Sequence, residues 1–138
     1  MKLLLIHLLL TSFMTGLIWL VQIVHYPLFT FVDKSSYRHF QKAHMLRVGL
    51  LVIPIMGIEL ITGFLLLHKF NNYPLLLWNT GMLCLIWLVT FGIFTFIHAT
   101  LREGFDGTLI RKLILFNWIR TFLWSLRTAL LFITIVQA

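Results

Sequence analysis

The stretch LRVGLLVIPIMGIELITGFLLL, residues 46–67, decides the fold class of this chain. A transmembrane helix needs roughly 20 predominantly apolar residues, and this stretch supplies that length. Its apolar residues do not alternate with polar ones, so it does not fit a strand of a membrane β-barrel. Because backbone groups in lipid must bond within their own segment, the stretch is predicted to be a transmembrane helix.

Three more segments of the same character lie on either side of it. The first starts like a signal peptide, but its apolar run continues to Val24 without a small-x-small cleavage pattern, so a retained helix is expected. The sequence therefore predicts an all-α protein, a four-helix transmembrane bundle in one integral membrane domain over residues 1–138. The predicted helices cover residues 3–25, 46–67, 74–98 and 109–136.

The composition agrees with a membrane location. Of the 138 residues, 60% are hydrophobic and 11% are charged, whereas a soluble domain has about 25% charged residues. The net charge of +7 comes mainly from short connections between apolar runs, which fits a membrane interface and excludes a nucleic-acid groove. The predicted partner is the lipid bilayer.

Cys84, the one cysteine, is expected to be a buried thiol.

The basic residues also predict the orientation. We call the side of the bilayer that holds residue 1 side A, and the opposite side is side B. Side A holds two basic residues, Lys2 and Lys69, whereas side B holds Lys34, Arg38, Lys42, Arg47, Arg102, Arg111 and Lys112. By the positive-inside rule, loops 26–45 and 99–108 are cytoplasmic and both termini lie outside a cell (inner) membrane that the chain crosses several times.

Three charged residues lie deep inside the predicted spans, away from the helix ends. They are Glu59, the one acid there, and the two arginines of NWIRTFLWSLR, residues 117–127. At 1.5 Å per residue from side B, Glu59 is roughly 18 Å deep, Arg120 about 13 Å and Arg127 about 23 Å. An unpaired charge near the bilayer centre costs on the order of 3 kcal/mol, so Glu59 is predicted to contact Arg120, Arg127 or both. One positive charge then remains, which could snorkel towards the interface or hold an anionic ligand or an ionised acid on a substrate.

Polar residues on the inward stripes of the helices define a candidate site, a pocket open towards side B. It comprises Gln22, His25, His44, Arg47, Glu59, Asn117, Arg120 and Arg127. Three functions fit it. The pocket could bind a small anionic or quinone-like molecule or a redox cofactor, the charges could only specify packing in a structural or accessory subunit, or a homo-oligomer could transport protons or small solutes. No motif identifies a reaction or decides whether the chain is an enzyme.

Histidines give a further set of candidates. His25, His44 and His98 lie at helix ends on side B, where imidazoles from different helices can ligate a metal or a haem iron. Their spacing follows no metal motif, and a histidine at a membrane interface is more often simply an amphipathic side chain. His7 and His68 form a possible second pair at side A, and His7 is expected near the membrane edge.

Local signals predict how the helices end and pack. Pro27 is expected to end the first helix. Asp33 is expected to cap a basic, amphipathic approach to the second helix, and Asp106 is expected to cap the fourth helix or to shape its turn. Gly49 and Gly63 are expected to let neighbouring helices approach closely. Asn71, Asn72 and Pro74 are expected to mark the second connection.

Three stretches, WLVQIVHYPLF (19–29), QKAHMLRVGLLVIPIMGIEL (41–60) and NWIRTFLWSLR (117–127), resemble a family of small bacterial four-helix membrane proteins of uncharacterised function. The positions that carry this resemblance are Gln22, His25, Tyr26, Pro27, His44, Arg47, Pro54, Glu59, Asn117, Arg120, Trp124 and Arg127. The family pattern has a histidine three residues before His44, where this chain has Gln41. In size and helix number the chain is also similar to small haem-binding membrane oxidases, including the four-helix protoporphyrinogen oxidase, at the level of fold alone.

Overall fold

A computed structural model describes residues 1–70 and 73–137, and no strand occurs in those ranges. Four helices are long and apolar enough to cross a membrane: α1 (Lys2–Phe31), α2 (Tyr37–Lys69), α3 (Pro74–Leu101) and α4 (Gly107–Gln137). The predicted all-α four-helix transmembrane bundle is confirmed, and the chain is a multi-pass membrane protein. Pro74 begins α3, whereas Asn71 and Asn72 lie outside the described residues.

The first turns of α2 extend into the predicted loop 26–45. The helix begins at Tyr37 and not at Leu46, so the predicted boundary was wrong. Tyr37, Gln41 and His44 are buried, and their spacing of four and three residues places them on one helical face. This amphipathic segment is helical because its inner face packs into the bundle, although its outer face carries charged residues.

The first helix continues through Pro27, so the prediction that this proline ends it was wrong. A π-helical segment, Val21–His25, comes directly before a short α-helical segment, Tyr26–Leu28, and a 3₁₀ turn, Phe29–Phe31. The N–H of Tyr26 bonds to the carbonyl of Val21 across the wide turn. The missing N–H and the ring of Pro27 therefore fall where the hydrogen-bond ladder is already rearranged.

Each helix packs against two neighbours. Helices α1 and α3 each contact both α2 and α4, so α2 and α4 lie diagonally across the bundle. Since successive helices are antiparallel, α2 and α4 both run from side B to side A. Large apolar side chains cover the outer surface of the bundle, where Leu50, Leu88 and Phe96, for example, are mostly exposed. These side chains contact the hydrocarbon of the bilayer.

Two apolar clusters close the two ends of the bundle. The larger one lies towards side B and includes Phe29, Leu101 and Ile110. The smaller one, which we call the side A leucine cluster, consists of the buried residues Leu4, Leu66, Leu76 and Leu131. Most buried polar side chains lie between or beside these clusters.

One predicted helix cap is confirmed and the other was wrong. The Asp106 Oδ1 atom accepts bonds from the N–H groups of Thr108 at 2.8 Å and Leu109 at 3.0 Å, as a cap of α4 does. Asp33 lies too far before Tyr37 to cap α2. Its carboxylate accepts a bond from the Ser35 hydroxyl, and its carbonyl accepts the N–H of Ser36, so it shapes the connecting turn.

The two glycines of α2 differ in their surroundings. A Cβ atom at Gly63 would lie 3.3 Å from Cε1 of His7 and 3.5 Å from Cδ2 of Leu83. The predicted close approach is therefore confirmed there. At Gly49 the nearest atom would be Cδ1 of Ile53 in the same helix, at 3.8 Å. The prediction was wrong for Gly49, because open space and not a neighbouring helix lies beside it.

Candidate functional site

The predicted site residues separate into two clusters. Glu59 and Arg127 form the centre of the first, which we call the ion-pair cluster. Gln22, Asn117, Arg120, His25 and His44 belong to the second, the Arg120–histidine cluster, which lies towards side B. Arg47 belongs to neither cluster, since its side chain is exposed on the outer surface of α2.

The ion-pair cluster joins the diagonal helices α2 and α4. Nη1 of Arg127 lies 2.5 Å from Oε1 of Glu59, and neither side chain is exposed. The predicted contact of Glu59 with α4 is confirmed for Arg127, and Arg120 bonds elsewhere. Side chains on a helix lean towards its N-terminus, which for α4 is side B. Arg127 therefore reaches back to the level of Glu59, whereas Arg120 leans away from it.

Side chains from the other two helices complete the bonding of this pair. Thr11 of α1 donates to Oε1 of Glu59 at 2.8 Å, and the Trp124 indole donates to Oε2 at 3.3 Å. The carboxamide oxygen of Asn79 in α3 accepts from Nε of Arg127 at 3.2 Å and from Nη2 at 3.1 Å. Multiple hydrogen bonds of this kind are needed to offset the desolvation of two buried charges.

His7 also belongs to the ion-pair cluster, although it was expected near the membrane edge. Its side chain is buried, and its Nε2 accepts a bond from Nη2 of Arg127 at 3.3 Å. Its Nδ1 bonds to the Thr62 hydroxyl at 2.7 Å. Thr62 and Asn79 were not predicted as site residues, and His7 was expected to pair with His68 and not with Arg127. The spacing of four residues between His7 and Thr11 was the available signal, since it places both on one face of α1.

The Arg120–histidine cluster begins with a chain of amides. Nδ2 of Asn117 donates to Oε1 of Gln22 at 2.9 Å, and the guanidinium of Arg120 donates to Oδ1 of Asn117 at 3.0 Å and 2.6 Å. Arg120 also donates to the Tyr26 hydroxyl at 3.2 Å, and its guanidinium carbon lies 3.7 Å from the centroid of the Phe94 ring. Among residues 1–70 and 73–137, Arg120 has no carboxylate partner.

The three candidate histidines lie together at the side B end of this cluster. Nε2 of His25 is 2.9 Å from Nδ1 of His44, and the rings of His44 and His98 are 5.1 Å apart. The two nitrogens of His98 bond to Gln41 at 2.8 Å and to the Tyr26 hydroxyl at 3.2 Å. The described part of the chain contains no group of three side chains arranged to hold a metal ion. His68, which was expected to pair with His7 at side A, is exposed and does not contact His7.

A cavity of about 270 Å³ lies beside Arg120, between α2 and α3. Its walls are largely apolar, and they include Ile18, Val52, Met56, Phe91 and Phe94. Polar side chains lie towards side B, where Tyr26, His44, His98 and Arg120 line it. Gly49 also lines the cavity, which explains why its missing side chain faces open space.

Trp124 separates the cavity from the ion-pair cluster. Its ring lines the cavity, and its indole N–H points to Glu59 at 3.3 Å. The side chains around the cavity therefore include Arg120 and His44 from the predicted set, and Glu59 and Arg127 lie behind the tryptophan. The single predicted pocket is divided because a large aromatic side chain fills the space between the two arginines of α4.

Two polar groups on the α3 side of the cavity are unpaired. The indole Nε1 of Trp87 and the hydroxyl of Thr90 are buried, and neither has a hydrogen-bond partner within the described ranges. Thr90 starts a π-helical segment, Thr90–Phe94, which faces the cavity as the π-helical segment of α1 does with Val21. The sequence does not single out Thr90, because no sequence signal distinguishes a π-helical turn from an α-helical one here.

A shallow depression on side B adjoins the cavity. Lys42, Met45, Leu46 and Arg102 line it, and Met45 also lines the cavity. Two exposed basic side chains, Lys42 and Arg102, therefore lie next to the side B end of the cavity.

No family model, curated protein or solved structure shows significant similarity to the chain.

Proposed function

We propose that the cavity between α2 and α3 binds a small amphipathic molecule whose anionic or hydrogen-bond-accepting head group is held by Arg120. The observation that carries this proposal is the state of Arg120 itself. Its guanidinium is buried, lines the cavity and has no carboxylate partner among residues 1–70 and 73–137. An acceptor group on a ligand would supply the missing counterpart.

The walls of the cavity support a ligand that is mostly apolar. Aliphatic and aromatic side chains from all four helices line it, which is typical of a small-molecule site with a few orienting polar groups. Ile53 and Phe91 line it on either side of the gap between α2 and α3, and both are half exposed on the lipid-facing surface. A ligand dissolved in the bilayer would enter through this gap.

The distribution of basic residues supports a bacterial inner-membrane location with side B in the cytoplasm. Lys42 and Arg102 would then flank the cavity at the cytoplasmic interface. The motif resemblance to small bacterial four-helix membrane proteins agrees with this location. In this arrangement the polar end of the ligand faces the cytoplasmic half of the membrane.

A structural role is favoured for the ion-pair cluster. Glu59 and Arg127 are bonded to each other and to side chains from α1 and α3, and they do not line the cavity. The two hypotheses therefore apply to different halves of the bundle: the ion-pair cluster specifies packing, and Arg120 binds the ligand. No specific observation favours transport, because the side A leucine cluster packs across the other end of the bundle.

Binding of two probes to the purified chain tests this proposal. Oleate has an anionic head and decylubiquinone has neutral acceptors, and native mass spectrometry in detergent measures the bound fraction of each. We expect at least one probe to bind, and Arg120→Gln to weaken its binding by about tenfold or more, as loss of a charge-assisted hydrogen bond does. Arg47→Gln is the matched control, because Arg47 is exposed and lies outside the cavity.

Two further measurements make the outcome decisive. Arg120→Lys keeps the positive charge and should retain more oleate binding than Arg120→Gln if the charge holds the head group. An absorption spectrum and metal analysis of the purified protein show whether a haem or metal accompanies it. Equal binding of both probes to wild type and Arg120→Gln, or binding of neither probe to the folded wild-type chain, would overturn the proposal.

A further inference from the structure

Two basic side chains line one depression at the side B ends of α2 and α3. Lys42 of α2 and Arg102, which directly follows α3, are both exposed. Together with Met45 and Leu46 they line a space of about 310 Å³, which we call the basic depression. Two positive charges from different parts of the chain therefore face the same concave surface, which favours an anion as its ligand.

Neither charge is neutralised within the described part of the chain. The one ion pair in residues 1–70 and 73–137 is that of Glu59 and Arg127. The carboxylate of Glu103 is therefore not paired with Lys42 or with Arg102, although Glu103 is the next residue after Arg102. An anion that enters the basic depression would meet two unpaired cations.

Two other basic side chains on side B have partners within the protein. The Nζ atom of Lys34 lies 5.5 Å from the centroid of the Phe105 ring, and Nε of Arg111 donates to the carbonyl of Gly107 at 3.3 Å. The two cations of the basic depression differ from them, because they share an open space. The depression is therefore more than the general excess of positive charge on side B.

A hydrogen bond between the helices holds the two cations near each other. Nε of Arg38 donates to the carbonyl of Glu103 at 2.5 Å. Arg38 precedes Lys42 by four residues and lies on the same face of α2, and Glu103 directly follows Arg102. This bond attaches the connection between α3 and α4 to that face of α2. A site that is already assembled loses less conformational freedom when it binds.

An apolar gap continues from the basic depression into the membrane. Leu46 and Ile53 follow Lys42 by four and eleven residues on α2, and Phe91 precedes Arg102 by eleven residues on α3, so each lies on the helical face of its cation. All three apolar side chains are at least half exposed. At 1.5 Å per residue the gap extends roughly 16 Å from the cations. Cations at the interface above an apolar gap match the phosphate and the acyl chain of a phospholipid.

We infer that the basic depression binds the phosphate of an anionic phospholipid, whose acyl chain lies along the gap between α2 and α3. This inference goes beyond the proposed function, because neither Lys42 nor Arg102 lines the cavity. Basic pockets between transmembrane helices bind anionic lipid head groups, and each cation adds to the attraction. Phosphatidylcholine carries the same phosphate, but the two cations repel its choline group.

Binding of phosphatidylglycerol and phosphatidylcholine with identical acyl chains tests the inference. Native mass spectrometry of the purified chain measures the bound fraction of each lipid, and we expect wild type to prefer phosphatidylglycerol. Each basic residue contributes about fivefold, so Lys42→Gln/Arg102→Gln should weaken binding of phosphatidylglycerol by about 25-fold. The matched control is Arg111→Gln/Lys112→Gln, which removes two exposed side B cations outside the depression and should leave binding unchanged.

All four substituted positions are exposed, so circular dichroism should show that both double variants keep their helices. Equal losses in the two double variants would show that only the net charge matters and would overturn the inference. Equal binding of the two lipids to wild type would overturn it as well.

Acylation of lysines by an amine-reactive reagent gives a readout that locates the lipid. Phosphatidylglycerol in the micelle should protect Lys42 more than Lys112, as mapped by mass spectrometry of peptides, and phosphatidylcholine should protect neither. Glycerol 3-phosphate has the phosphate without acyl chains and should protect Lys42 less. Equal protection by glycerol 3-phosphate would identify a site for soluble phosphates, and no protection by phosphatidylglycerol would exclude the site; either result would overturn the inference.

The variant Arg120→Gln separates this inference from the proposed function. Arg120 is buried and lines the cavity, not the basic depression. We expect this variant to bind phosphatidylglycerol as wild type does. Loss of phosphatidylglycerol binding in Arg120→Gln, together with retained binding in Lys42→Gln/Arg102→Gln, would place the lipid in the cavity and overturn the inference.

Discussion

The Glu59 carboxylate and the Arg127 guanidinium form an ion pair across the diagonal of the bundle, with 2.5 Å between Oε1 and Nη1 and neither side chain exposed. The helices that carry them contact the same two neighbours and share few direct contacts. The pair and its partners on α1 and α3 therefore connect all four helices at one level. This arrangement makes the ion-pair cluster a determinant of stability.

Loss of one charge from this pair should destabilise the fold. Glu59→Gln leaves Arg127 buried without its carboxylate, and breaking a buried pair in this way costs about 3–5 kcal/mol. Reversible unfolding in mixed micelles measures the change in free energy. Glu103→Gln, in an exposed connection, should change it little.

The double variant Glu59→Leu/Arg127→Leu separates the effect of an unpaired charge from the effect of lost packing. Replacing a buried pair by apolar residues of similar volume is often neutral or stabilising. We expect the double variant to be more stable than Glu59→Gln. A double variant that is less stable than the single one would contradict the interpretation.

The hydrogen bond from Thr11 to Glu59 should also be measurable. Thr11→Val keeps the shape of the side chain but removes a donor that lies 2.8 Å from a buried carboxylate. Hydrogen bonds to charged groups contribute about 1.5–3 kcal/mol, and the same unfolding assay should show a loss of that size. Ser12→Ala, at the exposed neighbouring position, should have an effect within about 0.5 kcal/mol. Equal effects at the two positions would exclude a specific role for Thr11.

Gly63 and Gly57 offer a test of close packing within one helix. Gly63→Ala places a methyl group 3.3 Å from His7, and crowding of this kind costs about 1–3 kcal/mol. Gly57→Ala meets no atom within 4 Å and should stabilise the helix by up to about 1 kcal/mol. The two variants should therefore shift the free energy of unfolding in opposite directions. A stabilising Gly63→Ala would show that α1 moves aside without loss.

Labelling of single cysteines tests the orientation inferred from the basic residues. In a Cys84→Ser background, Ser35→Cys lies in the connection between α1 and α2, and Phe70→Cys lies at the side A end of α2. A maleimide that does not cross membranes should label Phe70→Cys in intact cells and Ser35→Cys only after lysis, because side B is proposed to be cytoplasmic. The reverse pattern would invert the topology.

Hydropathy, helix length and charge pairing were sufficient to predict the four helices and a contact of Glu59 with at least one of the two buried arginines of α4, which the structure shows to be Arg127. These features follow from the absence of water in the hydrocarbon core, which leaves few solutions for a backbone or a charge. The beginning of α2 at Tyr37 and the continuation of α1 through Pro27 depend on packing and on a π-helical turn. The π-helical turn leaves no distinct pattern in a single sequence, whereas the early start of α2 leaves one in the spacing of Tyr37, Gln41 and His44.

The site was predicted less completely than the fold for a related reason. The depth of Arg120 and Arg127 in the membrane follows from their positions along the chain. Those positions do not show which side chain fills the space between the two arginines. Trp124 lies between them and gives each arginine its own surroundings. The cavity depends on small differences in packing among α1, α2 and α3, and the unpaired donors at Trp87 and Thr90 are visible only once those helices are assembled.

Gly49→Leu should block the cavity and leave the fold intact. A Cβ atom at this position meets only Ile53 of its own helix, at 3.8 Å, and the glycine lines the cavity. The larger side chain can therefore occupy the space that a ligand would use, and leucine is also the better helix former. We expect the free energy of unfolding to be retained or raised. In native mass spectrometry, the probe that the wild-type chain binds, oleate or decylubiquinone, should bind more weakly by more than about tenfold. Gly16→Leu is the matched control, because a side chain there meets nothing within 4 Å and lies outside the cavity. Undiminished binding to folded Gly49→Leu would place the ligand elsewhere on the protein.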